Sequence, residues 1–291
     1  MFFGSIPALV TPFSDGRVAR DTFADLVEWQ IAEGSDGLVP CGTTGEVATL
    51  SREEHREVVA TAVQVSNGRV PVIAGCGSYS TAVAIELIRA AAGVGANAAL
   101  VVVPYYNKPS QAGLAAHFLA IAEESPLPIV VYNVPSRTVA DISVETLAEV
   151  AKHPRIVGIK DATGNLARVT AQRLACGTDF CQLSGNDDMA LGFNAMGGVG
   201  CISVTANVAP RLCAEFQKAT AEGHWDTALE LQDRLFPLHA AMFADASPGP
   251  AKYALSRVRP GFPTELRLPL TEASHAAKQA VDAALEHAGL A

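Results

Sequence analysis

The sequence predicts an α/β protein whose fold class is a (β/α)8 TIM barrel with a helical extension at its C-terminal end. Short apolar runs alternate with longer amphipathic segments, and eight such runs occur before about residue 223. No low-complexity linker interrupts the series, and helical patterns follow it. An open doubly wound sheet is the alternative that the same alternation allows.

The eight apolar runs are the predicted strands. Several are rich in Val and Ile and lack the alternation of a half-exposed strand, which is typical of strands covered on both faces. In chain order the runs are residues 5–10, 37–40, 70–74, 98–103, 128–132, 156–159, 180–183 and 199–204.

The segments between the strands carry helix signals. Ser51-Arg52-Glu53-Glu54 has the pattern of a capping box in front of an apolar periodic stretch. Pro210 stands where a proline in the first turn of a helix belongs. Helices are expected to end at four glycines, Gly34, Gly93, Gly177 and Gly223.

The chain divides into a barrel that carries the active site, residues 1–223, and a C-terminal extension packed on it, residues 224–291. Residues 224–246 and 272–288 have helical patterns, and a stretch rich in Pro and Gly, residues 247–263, joins them. Because the extension is short and continuous with the barrel, we expect no separate domain there.

Composition excludes several classes of protein. Of the 291 residues, 49% are apolar and 18% charged, with a net charge of −9, which favours a globular core and disfavours a nucleic-acid partner. The first residues lack the pattern of a signal peptide, and the longest uncharged run, residues 189–210, is interrupted by glycines and a proline, so no membrane partner is expected. The six cysteines form no Cys-x-x-Cys pair, which favours reduced thiols and a cytoplasmic location.

Two side chains at the ends of neighbouring predicted strands could carry chemistry. In barrels of this kind catalytic groups lie at the C-terminal ends of strands, and Lys160 directly follows one strand while Tyr132 ends the strand before it. Burial disfavours the ammonium form of a lysine and so frees its amine to attack a carbonyl, and a phenol beside it can transfer protons. The alternatives are a lysine whose ammonium reaches water and an aromatic residue at the edge of the core.

Two further motifs could bind anions. Gly42-Thr43-Thr44-Gly45-Glu46 follows the second strand, and its small residues could let backbone amides converge on a carboxylate or phosphate. Arg137, five residues after Tyr132, could hold a second carboxylate with its planar guanidinium. An ordinary glycine turn and an exposed surface arginine are the alternatives.

Metal and nucleotide sites have little support. Gly185-Asn186-Asp187-Asp188 follows the seventh strand, but a metal would need more ligands nearby, and no His-x-His or His-x-x-x-His pair occurs. We expect the two aspartates to cap a helix instead. Gly75-Cys76-Gly77 lacks the third glycine or alanine of a dinucleotide-binding loop.

Taken together, the motifs resemble the dihydrodipicolinate synthase family of Schiff-base aldolases and synthases, and the resemblance covers the whole chain. The lysine, the tyrosine and the Gly-x-x-Gly loop are shared with the wider class of pyruvate-dependent aldolases and lyases, whereas Arg137 after Asn-Val-Pro-Ser marks the synthase branch. The motifs are Gly42-Thr43-Thr44-Gly45-Glu46, Tyr105-Tyr106-Asn107, Tyr132-Asn133-Val134-Pro135-Ser136-Arg137 and Gly158-Ile159-Lys160.

The resemblance implies a lyase that condenses pyruvate with L-aspartate 4-semialdehyde in lysine and diaminopimelate biosynthesis. Lys160 would form a Schiff base with pyruvate. Tyr132, Thr43 and Tyr106 would relay protons, with Tyr106 reaching into the site of a neighbouring subunit. The family resemblance further implies a cytosolic homotetramer, a dimer of dimers, that needs no metal or organic cofactor.

The resemblance also assigns the binding residues. Thr44 and the main chain near Ile202 would hold the carboxylate and carbonyl region of pyruvate, Arg137 the carboxylate of the semialdehyde, and Gly185 would also contact substrate. Three alternatives remain open: a lyase or aldolase of the same superfamily that cleaves N-acetylneuraminate or a 2-keto-3-deoxy sugar acid, a non-catalytic ligand-binding barrel, and a phosphate-binding isomerase.

One departure from the family pattern concerns regulation. Members inhibited by lysine bind it at a subunit interface, partly through an asparagine and a carboxylate that are matched here by Tyr79 and Val83. Arg52 replaces a histidine, although His55 and Tyr105 remain. Losing the carboxylate that pairs with the amino group of the effector should weaken binding, so we expect weak inhibition by lysine.

Overall fold

The apolar runs of the sequence form a curled parallel sheet. The structure is a computed structural model that describes residues 2–290. The strands that pair in the sheet are β1 Gly4–Pro7, β4 Ile73–Gly75, β5 Ala98–Val102, β6 Ile129–Asn133, β7 Ile156–Asp161, β8 Cys181–Ser184 and β9 Gly200–Ser203. Their order is β1-β9-β8-β7-β6-β5-β4. From β4 to β9 each strand therefore pairs with the next one along the chain, and β1 pairs with β9. A small antiparallel hairpin, β2 Phe13–Ser14 and β3 Arg17–Val18, lies outside the sheet.

The predicted second strand, residues 37–40, fills the space between β1 and β4. Val39 bridges Ala8 next to β1, and Leu38 bridges Val72 next to β4, both in parallel. Because this segment pairs on both sides, the sheet closes into a barrel, and the predicted fold class is confirmed. The segment makes single bridges only and ends at once, since Cys41 has a left-handed backbone with φ of 56°.

Helices surround the sheet and follow its strands. In chain order they are α1 Arg20–Ala32, α2 Arg52–Ser66, α3 Thr81–Gly93, α4 Gln111–Glu124, α5 Pro135–Thr138, α6 Val144–Val150, α7 Ala167–Cys176, α8 Ala190–Ala195, α9 Pro210–Ala221, α10 Trp225–Ala241, α11 Gly249–Val258 and α12 His275–Ala288. Short 3-10 turns occupy Val47–Thr49, Asp187–Met189 and Thr205–Asn207. Within residues 2–290, no helix combines the length and the hydropathy needed to cross a membrane.

Most of the predicted helix signals are found where expected. The capping box of Ser51 and Glu54 is formed at the start of α2, and Pro210 is the first residue of α9. Gly34, Gly177 and Gly223 have positive φ just beyond helices, but Gly93 is the last residue of α3, and the left-handed turn is made by Gly95, with φ of 93°.

The core has two layers, one inside the barrel and one between barrel and helices. In β6, Val130 and Tyr132 face the interior, whereas Ile129 and Val131 face the helices. This double coverage explains why the strand sequences lack alternation. The interior is filled by apolar side chains from all around the ring, among them Ile6, Val39, Ile73, Leu100, Leu183 and Ile202.

The extension differs from the prediction in one element. Residues 247–263 were expected to be a connection rich in Pro and Gly, but α11 runs through them from Gly249 to Val258. Pro250 lies in its first turn, where a missing amide costs no hydrogen bond. We propose to treat residues 224–291 as part of the same unit as the barrel, because α10 packs against α9 and α11 packs against the turn Thr205–Asn207.

Candidate active site

Lys160 and Tyr132 lie side by side at the C-terminal end of the barrel. The register of β6 and β7 pairs the two residues, and both are more than 90% buried. The Lys160 Nζ atom lies 4.3 Å from the centroid of the Tyr132 ring. Among residues 2–290, no carboxylate forms an ion pair with Lys160. The amine therefore has an aromatic neighbour and no salt-bridge partner, and it faces a cavity.

Gly185 provides the space that the lysine side chain occupies. A Cβ atom at this position would lie 3.1 Å from Lys160 Cε and 2.7 Å from the Cβ of Ala162. Both distances are shorter than ordinary van der Waals contact. Glycine is therefore the residue that allows the amine to lie along the end of β8.

The cavity above the strand ends has a volume of about 500 Å³. It is lined by side chains that follow β6, β7, β8 and β9 and by residues of α10, so barrel and extension both contribute to it. Six of the eight predicted site residues line it, namely Thr43, Thr44, Tyr132, Arg137, Lys160 and Gly185.

The other two predicted residues lie elsewhere. Ile202 is fully buried in β9, in the apolar cluster inside the barrel that also contains Ile6 and Leu183. Tyr106 follows β5 and is 94% exposed, with a left-handed backbone at φ of 70°. The prediction that Tyr106 contributes to the site of a neighbouring subunit stays a prediction.

The loop from Gly42 to Glu46 is fixed by its backbone conformation and by a hydrogen bond to the barrel. It is bounded by two left-handed residues that are not glycine, Cys41 and Glu46. Thr44 is buried, whereas Thr43 is exposed. The Thr11 hydroxyl donates to the carbonyl oxygen of Gly45 at 2.8 Å. Such tight fixation of a small-residue loop is what a preorganised anion site requires.

Gly75, part of the motif that resembles a nucleotide-binding loop, lies directly behind this segment. A Cβ atom on Gly75 would lie 2.0 Å from the carbonyl oxygen of Cys41. Its lack of a side chain is therefore required for packing against the loop, and nothing about it calls for a nucleotide.

Arg137 lies in the last turn of the short helix α5 and is exposed to the cavity mouth. Asn133, which is fully buried, fixes the segment around it: its side-chain amide donates to Asp141 at 2.7 Å and its carbonyl oxygen accepts from the Ile142 amide at 3.3 Å. Among residues 2–290, Arg137 has no carboxylate partner, so its guanidinium is available to an anionic ligand.

Comparisons with known proteins agree with this geometry. A family model described as the dihydrodipicolinate synthetase family matches residues 1–288. The chain belongs to this family. The resemblance found in the sequence is thereby confirmed.

Similar proteins match over their full length. A protein of Rhizorhabdus wittichii named 4-hydroxy-tetrahydrodipicolinate synthase is 66% identical over 291 residues, and one of Zymomonas mobilis with the same name is 63% identical over 290 residues; each match covers 100% of both chains. The crystal structure of dihydrodipicolinate synthase from Aquifex aeolicus has a TM-score of 0.96 at 42% identity and covers 99% of each chain. The enzyme from Acinetobacter baumannii complexed with pyruvate has a TM-score of 0.97 at 43% identity and covers 100% of each chain.

One buried carboxylate of the site plays a different role from the one expected. Asp187 does not cap the turn in which it lies. It accepts hydrogen bonds from the Ser203 hydroxyl and from the amides of Val204 and Thr205, at 2.9 and 3.4 Å. Asp187 therefore binds the amides at the start of the turn Thr205–Asn207 and not those of the turn in which it lies.

Sequence reasoning missed the contribution of the extension. His239 of α10 lines the cavity, is 4% exposed, and pairs through Nδ1 with the Thr205 hydroxyl at 2.8 Å. Burial lowers the pKa of His239, and Asp187 and Asp188 oppose that change. The only available signal was a histidine on an otherwise apolar helix face, which is more often part of a core.

The described residues offer no metal centre. Within residues 2–290, no group of three or more His, Cys, Asp or Glu side chains is arranged to hold a metal ion. All six cysteines are free. Burial raises the pKa of Cys41, Cys76 and Cys201, which keeps these thiols protonated and unreactive.

Proposed function

We propose that the chain is a 4-hydroxy-tetrahydrodipicolinate synthase that condenses pyruvate with L-aspartate 4-semialdehyde through a Schiff base on Lys160. The observation that carries this proposal is a buried amine beside a phenol that faces a cavity lined by Thr43, Thr44 and Arg137, with no carboxylate of residues 2–290 paired to the amine or to the arginine. Full-length relatives named as this synthase, and a similar structure that contains pyruvate, support it.

The first half of the reaction uses Lys160 and Tyr132. The Lys160 amine attacks C2 of pyruvate, and the resulting carbinolamine loses water as Tyr132 delivers a proton to the departing hydroxyl. The loop of Thr43 and Thr44 binds the pyruvate carboxylate, which fixes the carbonyl within reach of the amine. The phenolate left on Tyr132 then takes a proton from C3 of the imine, which gives the enamine and restores the phenol.

The second half joins the two substrates. Arg137 holds the carboxylate of the semialdehyde while the enamine carbon attacks its aldehyde, which forms the new carbon–carbon bond and a hydroxyl group. The amino group of the semialdehyde then adds to C2 and displaces the amine of Lys160, which closes the ring. The enzyme is regenerated, and one water has been released overall.

Tyr106 links this mechanism to assembly. Tyr106 is proposed to join Tyr132 and Thr43 in a proton relay across a subunit boundary. The protein is proposed to be a homotetramer and to act in the cytoplasm. An almost fully exposed tyrosine next to Tyr105, which packs edge to face on Tyr79, supports a contact surface here. Sedimentation analysis of the wild-type protein tests the assembly, and the activity of Tyr106→Phe tests the proton relay. A wild-type protein that is fully active as a monomer would contradict the proposal.

We also propose that lysine inhibits this protein only weakly. Tyr79 is half exposed, Val83 offers no charge, and Arg52 is paired with Glu86 at 3.6 Å. A similar structure, that of the enzyme from Cyanidioschyzon merolae, has lysine bound, which supports lysine as the effector to test. An inhibition curve with L-lysine measures the effect, and half-inhibition at low micromolar lysine would contradict the proposal.

Trapping with borohydride tests the central claim. Incubation with pyruvate and sodium borohydride should fix one pyruvate per chain as a secondary amine on Lys160, located by mass spectrometry of peptides. Lys160→Ala should abolish both the adduct and turnover. An unlabelled Lys160, or turnover of a sugar keto acid in place of aspartate semialdehyde in parallel assays, would overturn the proposal.

Arg137→Ala separates the two substrates. Because Arg137 is proposed to bind only the semialdehyde, the variant should lose turnover by about 100-fold or more, while the pyruvate adduct still forms. Arg137→Lys should recover little, since an ammonium cannot make the planar two-point contact. Loss of the pyruvate adduct as well would show that Arg137 has another role.

A further inference from the structure

We infer that Lys252, on α11 of the extension, is a positioning residue for the loop of Thr43 and Thr44 and acts through the Glu46 side chain. The inference rests on the proposed function, because that function makes this loop the binding site of the pyruvate carboxylate.

The two charged side chains form a fully buried pair. The side chains of Glu46 and Lys252 are both 0% exposed, and the Lys252 Nζ atom donates to Glu46 Oε1 at 2.5 Å. The same ammonium donates to the Glu265 carbonyl oxygen at 2.7 Å and lies 4.4 Å from the centroid of the Phe13 ring. Removing two charges from water is costly, so a pair in this position is retained only where each member is well bound.

Both oxygens of the Glu46 carboxylate are bound by the extension. Lys252 binds Oε1, and the backbone amide of Arg267 donates to Oε2 at 3.1 Å. The side chain of Arg267 continues the connection, because it binds Glu54 at the start of α2 and the carbonyl oxygen of Thr49. The carboxylate therefore joins the loop to a rigid polar network more than 200 positions away in sequence.

The backbone of Glu46 connects its bound side chain to the rest of the loop. Its amide donates to the carbonyl oxygen of Thr43 at 3.1 Å, and its φ of 54° lies in the left-handed region, which costs a non-glycine residue free energy. Such a conformation persists when its surroundings determine it. Lys252 binds this carboxylate directly, so its loss should let Glu46 relax and displace Thr43 and Thr44.

The barrel holds the other side of the loop independently. The Thr11 hydroxyl binds the carbonyl oxygen of Gly45, and Gly75 packs behind Cys41. Loss of Lys252 should therefore leave the barrel folded while the threonines shift. The effect should appear in pyruvate binding and imine formation, because small displacements of a positioning group reduce rates strongly.

The test compares three variants by their pyruvate kinetics and their thermal unfolding. In Lys252→Met the apolar stem is kept and the ammonium removed. We expect KM for pyruvate to rise and the rate of borohydride-trapped adduct at low pyruvate to fall, both by about 10- to 100-fold, with KM for the semialdehyde changed less than about twofold.

Leu255→Ala is the matched control for stability. Leu255 is fully buried on the same helix and belongs to the apolar core, without a hydrogen bond to the loop. This variant should unfold at lower temperature and yet keep the wild-type KM for pyruvate, when both are assayed where they are folded. A shift in KM equal to that of Lys252→Met would show that loss of stability alone explains the effect.

The double variant Glu46→Gln with Lys252→Met separates fold from positioning. It removes both buried charges, so thermal stability should recover relative to Lys252→Met, while KM for pyruvate stays raised because the bond to the loop is still absent. Recovery of both the thermal stability and the wild-type KM would overturn the inference. Should Lys252→Met not fold, KM for pyruvate is measured on the double variant alone, and a wild-type value would overturn the inference. Failure of the wild-type protein to form any adduct would instead refute the proposed function.

Discussion

At the scale of single residues, the site depends on a position that has no side chain. Lys160 can lie beside Tyr132 because Gly185 leaves its Cβ position empty, and the ends of β7 and β8 are in contact there. The amine is thus placed by the absence of atoms as much as by contacts. The glycine that follows β8 therefore decides where the amine carried by β7 can lie.

Gly185→Ala should reduce activity without unfolding the protein. The new methyl group would lie 2.7 Å from the Cβ of Ala162 and 3.1 Å from Lys160 Cε, so the end of β7 and the lysine side chain must shift, and adduct formation with pyruvate should slow by about 10-fold or more. Gly93→Ala is the matched control, because no atom of residues 2–290 beyond its own helix lies within 4 Å of its Cβ position and alanine favours helix. Equal rates of adduct formation in both variants would contradict this explanation.

Residues that the sequence could identify are those whose neighbours follow from strand geometry. Lys160 and Tyr132 are paired near the C-terminal ends of adjacent parallel strands, so their proximity could be predicted. The buried role of Asp187 and the place of His239 could not, because each depends on a contact between elements whose packing the sequence does not state.

At the scale of elements, the start of α2 is stabilised locally and also connected to the extension. The Ser51 hydroxyl accepts from the Glu54 amide at 3.2 Å, and the Glu54 carboxylate accepts from the Ser51 amide at 2.9 Å. The same Glu54 carboxylate binds Arg267, which lowers the pKa of Glu54. The helix terminus therefore belongs to the polar network that surrounds Glu46.

Ser51→Ala should cost about 1 kcal/mol of unfolding free energy, because one helix amide loses its acceptor. Urea denaturation measures the change. The control is Ser14→Ala, which removes an exposed hydroxyl in the hairpin that makes no hydrogen bond within the described part of the chain. The capping explanation fails if the two variants lose the same amount.

Elements that broke the usual rules were the hardest to predict. The helix α11 begins with Gly249 and Pro250, residues that normally indicate a loop, and it forms because the first turn tolerates a proline. The strand segment around Leu38 and Val39 was predicted, yet it makes only single bridges, since the chain turns sharply at Cys41.

At the scale of the whole molecule, the repeated pattern of strand and helix predicts the barrel but leaves the pairing of distant charges open. Glu46 meets Lys252 across 206 positions, and Glu54 meets Arg267 across 213. Many acids could in principle pair with many bases, and composition does not select among them. Only the closed barrel with its extension brings these groups together, so the network was found in the structure alone.

Buried histidines should make the whole fold sensitive to mild acid. Burial lowers the pKa of His117 to about 4, whereas an unfolded histidine titrates near 6.5. Between pH 6.5 and pH 4 the unfolded chain binds a proton at this histidine that the folded chain does not bind. His117 alone should therefore cost about 3 kcal/mol of stability by pH 4. In denaturation series from pH 7 to 4.5, His117→Gln should lose less stability than wild type, whereas exposed His224→Gln should follow wild type. Parallel curves for wild type and His117→Gln would show that this group does not control acid unfolding.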